Sequence, residues 1–410
     1  MKNYADIYES NNDSISLEQA IYVRAEPIDQ RGVFTTPQDD DYFLNLPGGG
    51  ITIEQPRESS PQRSGRHHVS TIRKKVITNW NFSSYYNLNA DLGLDAGIRL
   101  LHRSLFGNEV AVAGTGLTYN TARPPNFTFT ILECSDRYAR QAVGAFVNSG
   151  NINLPGEGEA SVAFSGSAAD GFLVGIGKSS TANTGNTIVL EGDDIELMSK
   201  GGAVMIIKSD GVSRGADTPN GSSRIITGIN KAAKSATLSG EPLTDVDGST
   251  DPIYLCYYEP ENPSATENPV TGLDGEITIA GYPNLAVRSL SIQVDNNHEI
   301  QNFFYGRRGL GGKLFAPTGR FTAQVTATVN MNDDSIRLFN NVKRFESQAI
   351  KAILGDPSDA ERHLELAIPK ADFDVPGFSI PDSGSVPTDF VGNCYVSQRG
   401  ATDELALTLR

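Results

Sequence analysis

Cysteine is scarce in this 410-residue chain: Cys134, Cys256 and Cys394 stand alone, with no CxxC or zinc spacing. An odd count of widely separated thiols excludes a disulfide scaffold and a structural metal site, and leaves isolated buried thiols. Basic charge is also in deficit. Lys and Arg total 34 against 49 Asp and Glu, a net charge of −15. Gripping nucleic-acid phosphates needs Lys and Arg, so this balance argues against that role and fits a soluble surface or a wall that DNA passes without sticking. No stretch approaches 18 apolar residues, so no helical membrane span is expected. The opening MKNYADIYESNND is polar and lacks the apolar core of a signal peptide, which points to a chain made and kept in a reducing cytoplasm, or in something assembled there.

What the sequence has in quantity is punctuation: 41 Gly and 21 Pro, with only 20% charged residues. Between these turn signals lie segments rich in Val, Ile, Thr, Phe and Tyr, the signature of a mainly β protein with many loops. Residues 1–50 read as an arm and first strands, with SLEQAIYVRAE (16–26) as a short apolar run and Asp39, Asp40 and Asp41 in a solvated loop. ITIEQ (51–55) reads as a strand, 56–68 as a polar loop, and 69–86 as a long strand with Ile72, Val76, Trp80 and Phe82 on one face. In 92–107, Leu94, Ile98, Leu101 and Leu105 recur at helical spacing, and Gly107 provides the stop. Strands are expected at 126–134, 151–154 and 160–168.

The second half follows the same order. GEITIAG (275–281) and LSIQV (290–294) are strands, 295–319 is a long loop, and FTAQVTATVN (321–330) alternates strictly between apolar and polar. A helix is expected after Asp333 and Asp334, with Ile336, Phe339, Val342, Phe345, Ala349 and Ile353 as its stripe and Gly355 with Pro357 as its end. Strands at 363–369, 391–397 and 404–410 finish the chain. The repeated order predicts an internal duplication. It divides the chain into a first domain over 1–185 with a closing strand near 252–258, a small β insertion over 186–250 with Asp-Gly and Gly-rich turns, a linker at 259–275, and a second domain over 276–410.

Motifs for chemistry fail on inspection. GVSRG (211–215) fits G-x-S-x-G, but that elbow works only on a turn leading directly into a helix, and ADTPNGSS follows. GFLVGIGKS (171–179) lacks the glycine five residues before the Gly-Lys pair. His67 and His68 have no neighbouring ligand array, so they read as solvated. Paired carboxylates, Asp193 with Asp194 and Glu157 with Glu159, lie adjacent in loops rather than across a cleft. The expectation is no enzyme, no catalytic residue, no metal and no cofactor.

The order of strand, protruding loop, long strand, flanking helix and paired strands resembles the tail tube protein family of long-tailed (siphovirus-type) bacteriophages. VNSGNINLPGEGEASVAFSGSA (147–168), and SLSIQVDNN followed by a long loop and RFTAQVTATVN, carry the resemblance, which covers about 15–180 and 252–410 and leaves 186–250 unexplained. It implies two tandem tail-tube-like β-sandwich or barrel domains, each with a flanking α-helix. It implies self-assembly: six tube domains close each ring, so a duplicated chain forms a homotrimer with pseudo-sixfold symmetry, and rings stack into an open filament in the virion tail. Other tail proteins are partners, and DNA passes through the lumen at ejection without specific binding. The loops at 56–68 and 295–319 hold Arg57, Arg63, Arg66, Phe303, Phe304, Tyr305, Arg307 and Arg308, residue types enriched at interfaces, which are the expected contacts between stacked rings. The competing readings are a distal tail or hub adaptor and a β-rich receptor- or carbohydrate-binding adhesin.

Overall fold

A computed structural model describes residues 2–10, 19–59, 63–64, 67–68, 71–73, 76–88, 94–112, 116–121, 127–244, 248, 250–265, 269–273, 275–282, 285–302, 313–317, 319–355, 363–377 and 384–409. The chain is mainly β, with large antiparallel sheets and, among the described residues, no closed barrel. Among the described residues there are three α-helices: α1 (Tyr4–Ser10), α2 (Ala96–Phe106) and α3 (Asp333–Lys343).

The first half contributes β1 (Ala20–Ala25), β2 (Gly50–Glu54), β3 (Ile77–Tyr85), β4 (Phe129–Cys134), β5 (Ala139–Pro155), β6 (Ser161–Ala168) and β7 (Asp170–Val174). A six-stranded sheet follows, built from β8 (Ile176–Ser179), β9 (Thr187–Val189), β10 (Ala203–Ile207), β11 (Arg224–Asn230), β12 (Ser235–Leu238) and β13 (Ile253–Tyr257). The expected closing strand thus pairs inside this sheet, β13 lying between β8 and β10. The second half supplies β14 (Glu276–Ile279), β15 (Val287–Asp295), β16 (Thr322–Asn330), β17 (Gln348–Leu354), β18 (Leu364–Phe373), β19 (Pro387–Tyr395) and β20 (Ala406–Leu409).

Six ladders of the first half recur in the second. The ladders β1–β4, β4–β5, β2–β3, β3–β6, β5–β6 and β5–β7 match β14–β17, β17–β18, β15–β16, β16–β19, β18–β19 and β18–β20. Even the irregularities coincide. In β4–β5, Val143 and Gly144 bulge between pairs Ile131↔Ala142 and Phe129↔Ala145. In β17–β18, Pro369 and Lys370 do so between Ile350↔Ile368 and Gln348↔Ala371. A bulge bends its strand, so β5 and β18 each leave one sheet layer and enter another. Gly144, at φ +63°, takes the left-handed conformation there. Pro369 tolerates the bulge because no ladder hydrogen bond is needed from it.

The layer shared by both halves is one antiparallel sheet in the order β2–β3–β6–β5–β15–β16–β19–β18, joined at the centre where β5 pairs with β15. One face is apolar: Trp80, Phe82, Val162, Phe164, Ile152, Leu290, Ile292, Val325 and Phe390 are all buried on it. They join α2, α3 and the outer strands in one continuous core. A second core lies under the six-stranded sheet and takes in Tyr22, Leu132 and Val143 from the first half. The arm docks there, with Lys2 Nζ and Tyr4 Oη on the Glu259 carboxylate at 2.9 and 3.0 Å and Tyr8 Oη on Asp194 at 2.9 Å.

Three expectations change. The strand expected over 69–86 is shorter, β3, because Thr71–Arg73 pairs instead with Arg57–Ser59. Both long loops are hairpins that prolong their parent strand pairs, the second being His298–Asn302 with Lys313–Pro317. The helix after Asp333 stops at Lys343, and the second part of its expected stripe is strand β17. Phe345 ends the helix at φ +63°, 95% exposed. Beyond it, burial alternates with period two, placing Ile350, Ala352 and Leu354 inward. The cap is Asn332, which forms a reciprocal capping box with Ser335.

Candidate functional site

Strand alternation that buries one face of the shared sheet presents the other. Rows of cross-strand neighbours run over that second face. One row reads Ser83, Ala163, Asn151, Gln293, Gln324 and Asn393. The next reads Asn81, Ser165, Ser149, Asp295 and Thr322. A third reads Tyr85, Ser161, Asn153, Ser291, Thr326 and Val391. From β3 to β19 these side chains are almost all hydroxyls and amides, none is Lys or Arg, and Asp295 is the charged one; on β18 the first row ends in Asp372.

Their polar groups engage one another across the strands. Ser149 and Ser165 share a hydrogen bond of 2.7 Å, Ser167 Oγ donates to Asn79 at 2.8 Å, and Ser291 Oγ donates to Asn151 at 3.1 Å. Thr328 Oγ1 donates to Asp389 at 2.7 Å. Such mutual bonding holds short side chains flat against the sheet and presents few fixed charges to whatever lies over it. Lys370, beside the Tyr395 ring, marks the margin of the face.

Two of the interface residues expected from sequence fall on the first prolonged hairpin. Arg57 is exposed on the first of them, and Arg63 pairs with His68 in its outer part. Arg66, Phe303, Phe304, Tyr305, Arg307 and Arg308 lie outside the described residues. The polar face itself was readable as alternation only at 321–330; the same period-two pattern in NFSS, NINL and SLSIQV is its sequence signal.

Buried polar groups elsewhere serve the fold. Glu26 accepts from Thr128 Oγ1, Thr130 Oγ1 and the N–H groups of Gly32 and Gly144, all within 3.1 Å. His102, on α2, bonds the Tyr86 hydroxyl at 3.1 Å and the Ile98 carbonyl at 2.9 Å. Burial pushes its pKa down to about 4, so the ring is neutral near pH 7. Burial raises the thiols of Cys134, Cys256 and Cys394, which are free and enclosed as expected. Ser213 of GVSRG sits exposed on a turn closed by Lys208 N–H to Ser213 O, with no helix after it. Among the described residues no three His, Cys, Asp or Glu side chains converge as metal ligands, and no helix is long and apolar enough to cross a membrane.

A mainly β chain with two like strand sets, one shared sheet and a weakly charged polar face has the build of a structural protein. Residues 216–390 match the family model described as phage tail tube protein. The match bears out the resemblance to tail tube proteins and extends into 216–250, which the resemblance had left aside. The match, over 175 of the 410 residues, supports a structural role in a phage tail. No curated protein matches it.

Proposed function

We propose that the chain is the repeating subunit of the tail tube, and that the polar face of its shared sheet lines the channel for DNA. The single observation that carries this is the face itself: three central rows that cross six strands of the shared sheet, from β3 to β19, without Lys or Arg. Phosphates gain little from amides and hydroxyls already bonded to each other, so DNA is confined without being held.

The recurrence of six ladders with the same bulge supports a duplicated tube domain. Three chains then close a ring with pseudo-sixfold symmetry, and eight strands from each make a barrel of 3 × 8 = 24. Rings stack through the loops at 56–68 and 295–319, where Arg57, Arg63, Arg66, Arg307 and Arg308 meet acidic groups of the next ring and Phe303, Phe304 and Tyr305 pack at the same contact. The six-stranded sheet over 176–257 decorates the outside. The tube is assembled in the host cytoplasm and joins other tail proteins.

Electron microscopy of the purified protein with its solution mass tests this reading. Hollow filaments with three chains per ring are expected. Six chains per ring would keep the tube and refute the duplication; a chain that stays monomeric at high concentration would refute the tube. Arg307→Glu with Arg308→Glu is expected to abolish filaments while leaving folded subunits or rings, and unchanged tube length would remove the stacking role.

A further inference from the structure

Strand β15 is covered on both edges, by β16 on one side and by β5 on the other, in a ladder from Ser149↔Asp295 to Pro155↔Ser289. Its counterpart in the first half is β2. Ile51 lies opposite Trp80 and Trp80 opposite Gly166; Ile292 lies opposite Val325 and Val325 opposite Gly392. Yet among the described residues β2 pairs with β3 alone.

The counterpart of the end of β5 is the chain leaving β18. Residues 147–168 align without a gap on 373–394, sharing Pro155 with Pro381, Gly158 with Gly384, Phe164 with Phe390 and Gly166 with Gly392. Each half therefore has one covering segment and one strand to be covered, and only one such pair is satisfied within the chain.

Side chains stand in at the remaining edge. The N–H of Ile51 donates to Glu133 at 2.7 Å, and its carbonyl accepts from Arg140 Nη1 at 2.7 Å. Glu133 and Arg140 are a cross-strand ion pair in β4–β5. At the corresponding pair of β17–β18 stand Ala352 and Leu366, both buried and apolar, under an edge that β5 already covers. An exposed strand edge invites uncontrolled pairing, and a charged pair bonded to its backbone is a guard against it. The guard holds Ile51 and stops short of Thr52–Glu54.

We infer that the edge of β2 is the ring-closing seam, and that Thr52–Glu54 pairs with Asp374–Gly377 of a second copy of this chain. The inference rests on the tube reading and repeats the internal junction. Ser149↔Asp295, Gly150↔Val294 and Asn151↔Gln293 become Val375↔Glu54, Pro376↔Ile53 and Gly377↔Thr52 between copies. Glu54 is exposed and Val375 is 50% exposed, and they take the places that Asp295 and Ser149 hold on the polar face at the internal junction. Pro376 has no N–H and can only accept there, so this seam carries fewer main-chain bonds than the internal one.

The test is disulfide formation during assembly in the full chain carrying Glu54→Cys with Val375→Cys, and separately Thr52→Cys with Gly377→Cys. A Cβ at Gly377 meets nothing within 4 Å, so that second pair tolerates its change. Directly opposed strand positions lie within disulfide reach. Non-reducing gels are expected to show covalent chains ending at the ring size, with only monomer from each single variant. Filaments by electron microscopy with only monomer on the gel for both pairs would overturn the seam and leave the tube intact. Absence of filaments from the unsubstituted protein would overturn the tube reading itself, and the seam with it.

Discussion

Opposite Gly166 stands Trp80, and opposite the equivalent Gly392 stands Val325. The two halves share ladders, bulges and a helix after the long strand, yet they fill the space beneath their sheets differently. In the first half Trp80 stacks on Phe82 at 5.6 Å and meets Phe129 edge-on at 5.7 Å. His102 sits there among the rings of Tyr86, Phe106, Tyr119 and Phe164. In the second half the same strand carries Ala323, Val325, Ala327 and Val329, packed with Leu290, Ile292, Leu338 and Ile350. The lesson is that strand register is held by the backbone and by alternation, while core volume is negotiable as long as it is filled.

Large-to-small substitutions probe that contrast most strongly. Trp80→Ala is expected to cost about 3–5 kcal/mol and Val325→Ala about 2 kcal/mol, read from denaturant midpoints. Equal losses would mean the aromatic core is no more committed than the aliphatic one.

The glycines test the shared part instead. A Cβ on Gly166 would stand 1.9 Å from the Phe146 carbonyl oxygen, and one on Gly392 would stand 2.5 Å from that of Asp372. Gly166→Ala and Gly392→Ala are each expected to cost about 3 kcal/mol, the first more than the second, by overpacking. A harmless change at either would break the equivalence of the two positions.

Acid should separate the halves. His102 titrates at about 4 when folded against an unfolded value near 6.5. Between these pH values the unfolded chain takes up a proton that the folded chain refuses. Stability is therefore expected to fall by about 3 kcal/mol as pH drops from about 6.5 to 4, and this contribution levels off below. Counted from the helix caps at Asp95 and Asn332, the second helix carries Phe339 at the position of His102. His102→Phe should flatten the slope of melting temperature with pH over that window; an unaltered slope would assign it to other groups.

The caps give the smallest contrast. The Asn332 side chain accepts from Ser335 N–H at 2.9 Å, whereas Asp95 makes no side-chain cap bond. Asn332→Ala is expected to cost about 1 kcal/mol and Asp95→Ala less, seen in thermal unfolding.

Local pattern by itself determined much of this protein. Leu94, Ile98, Leu101 and Leu105 recur at helical spacing and are buried along α2 and just before it, and Gly107 closes the helix in the left-handed conformation. Strict alternation over 321–330 placed Ala323, Val325, Ala327 and Val329 inward, because a strand's period of two depends only on its own backbone. The stripe from Ile336 to Ile353 misled because its spacing fitted a helix, while pairing of β17 between β14 and β18 decided the strand. The hairpins read as loops because neither segment alternates apolar with polar residues over a strand's length, and each ladder lies in hydrogen bonds between residues apart in the chain. The polar face of the shared sheet, the β5–β15 junction and the side-chain bonds at the edge of β2 each join segments far apart in the chain. Which neighbour a strand takes depends on which edges remain uncovered after the rest has folded, and only the tertiary structure decides that.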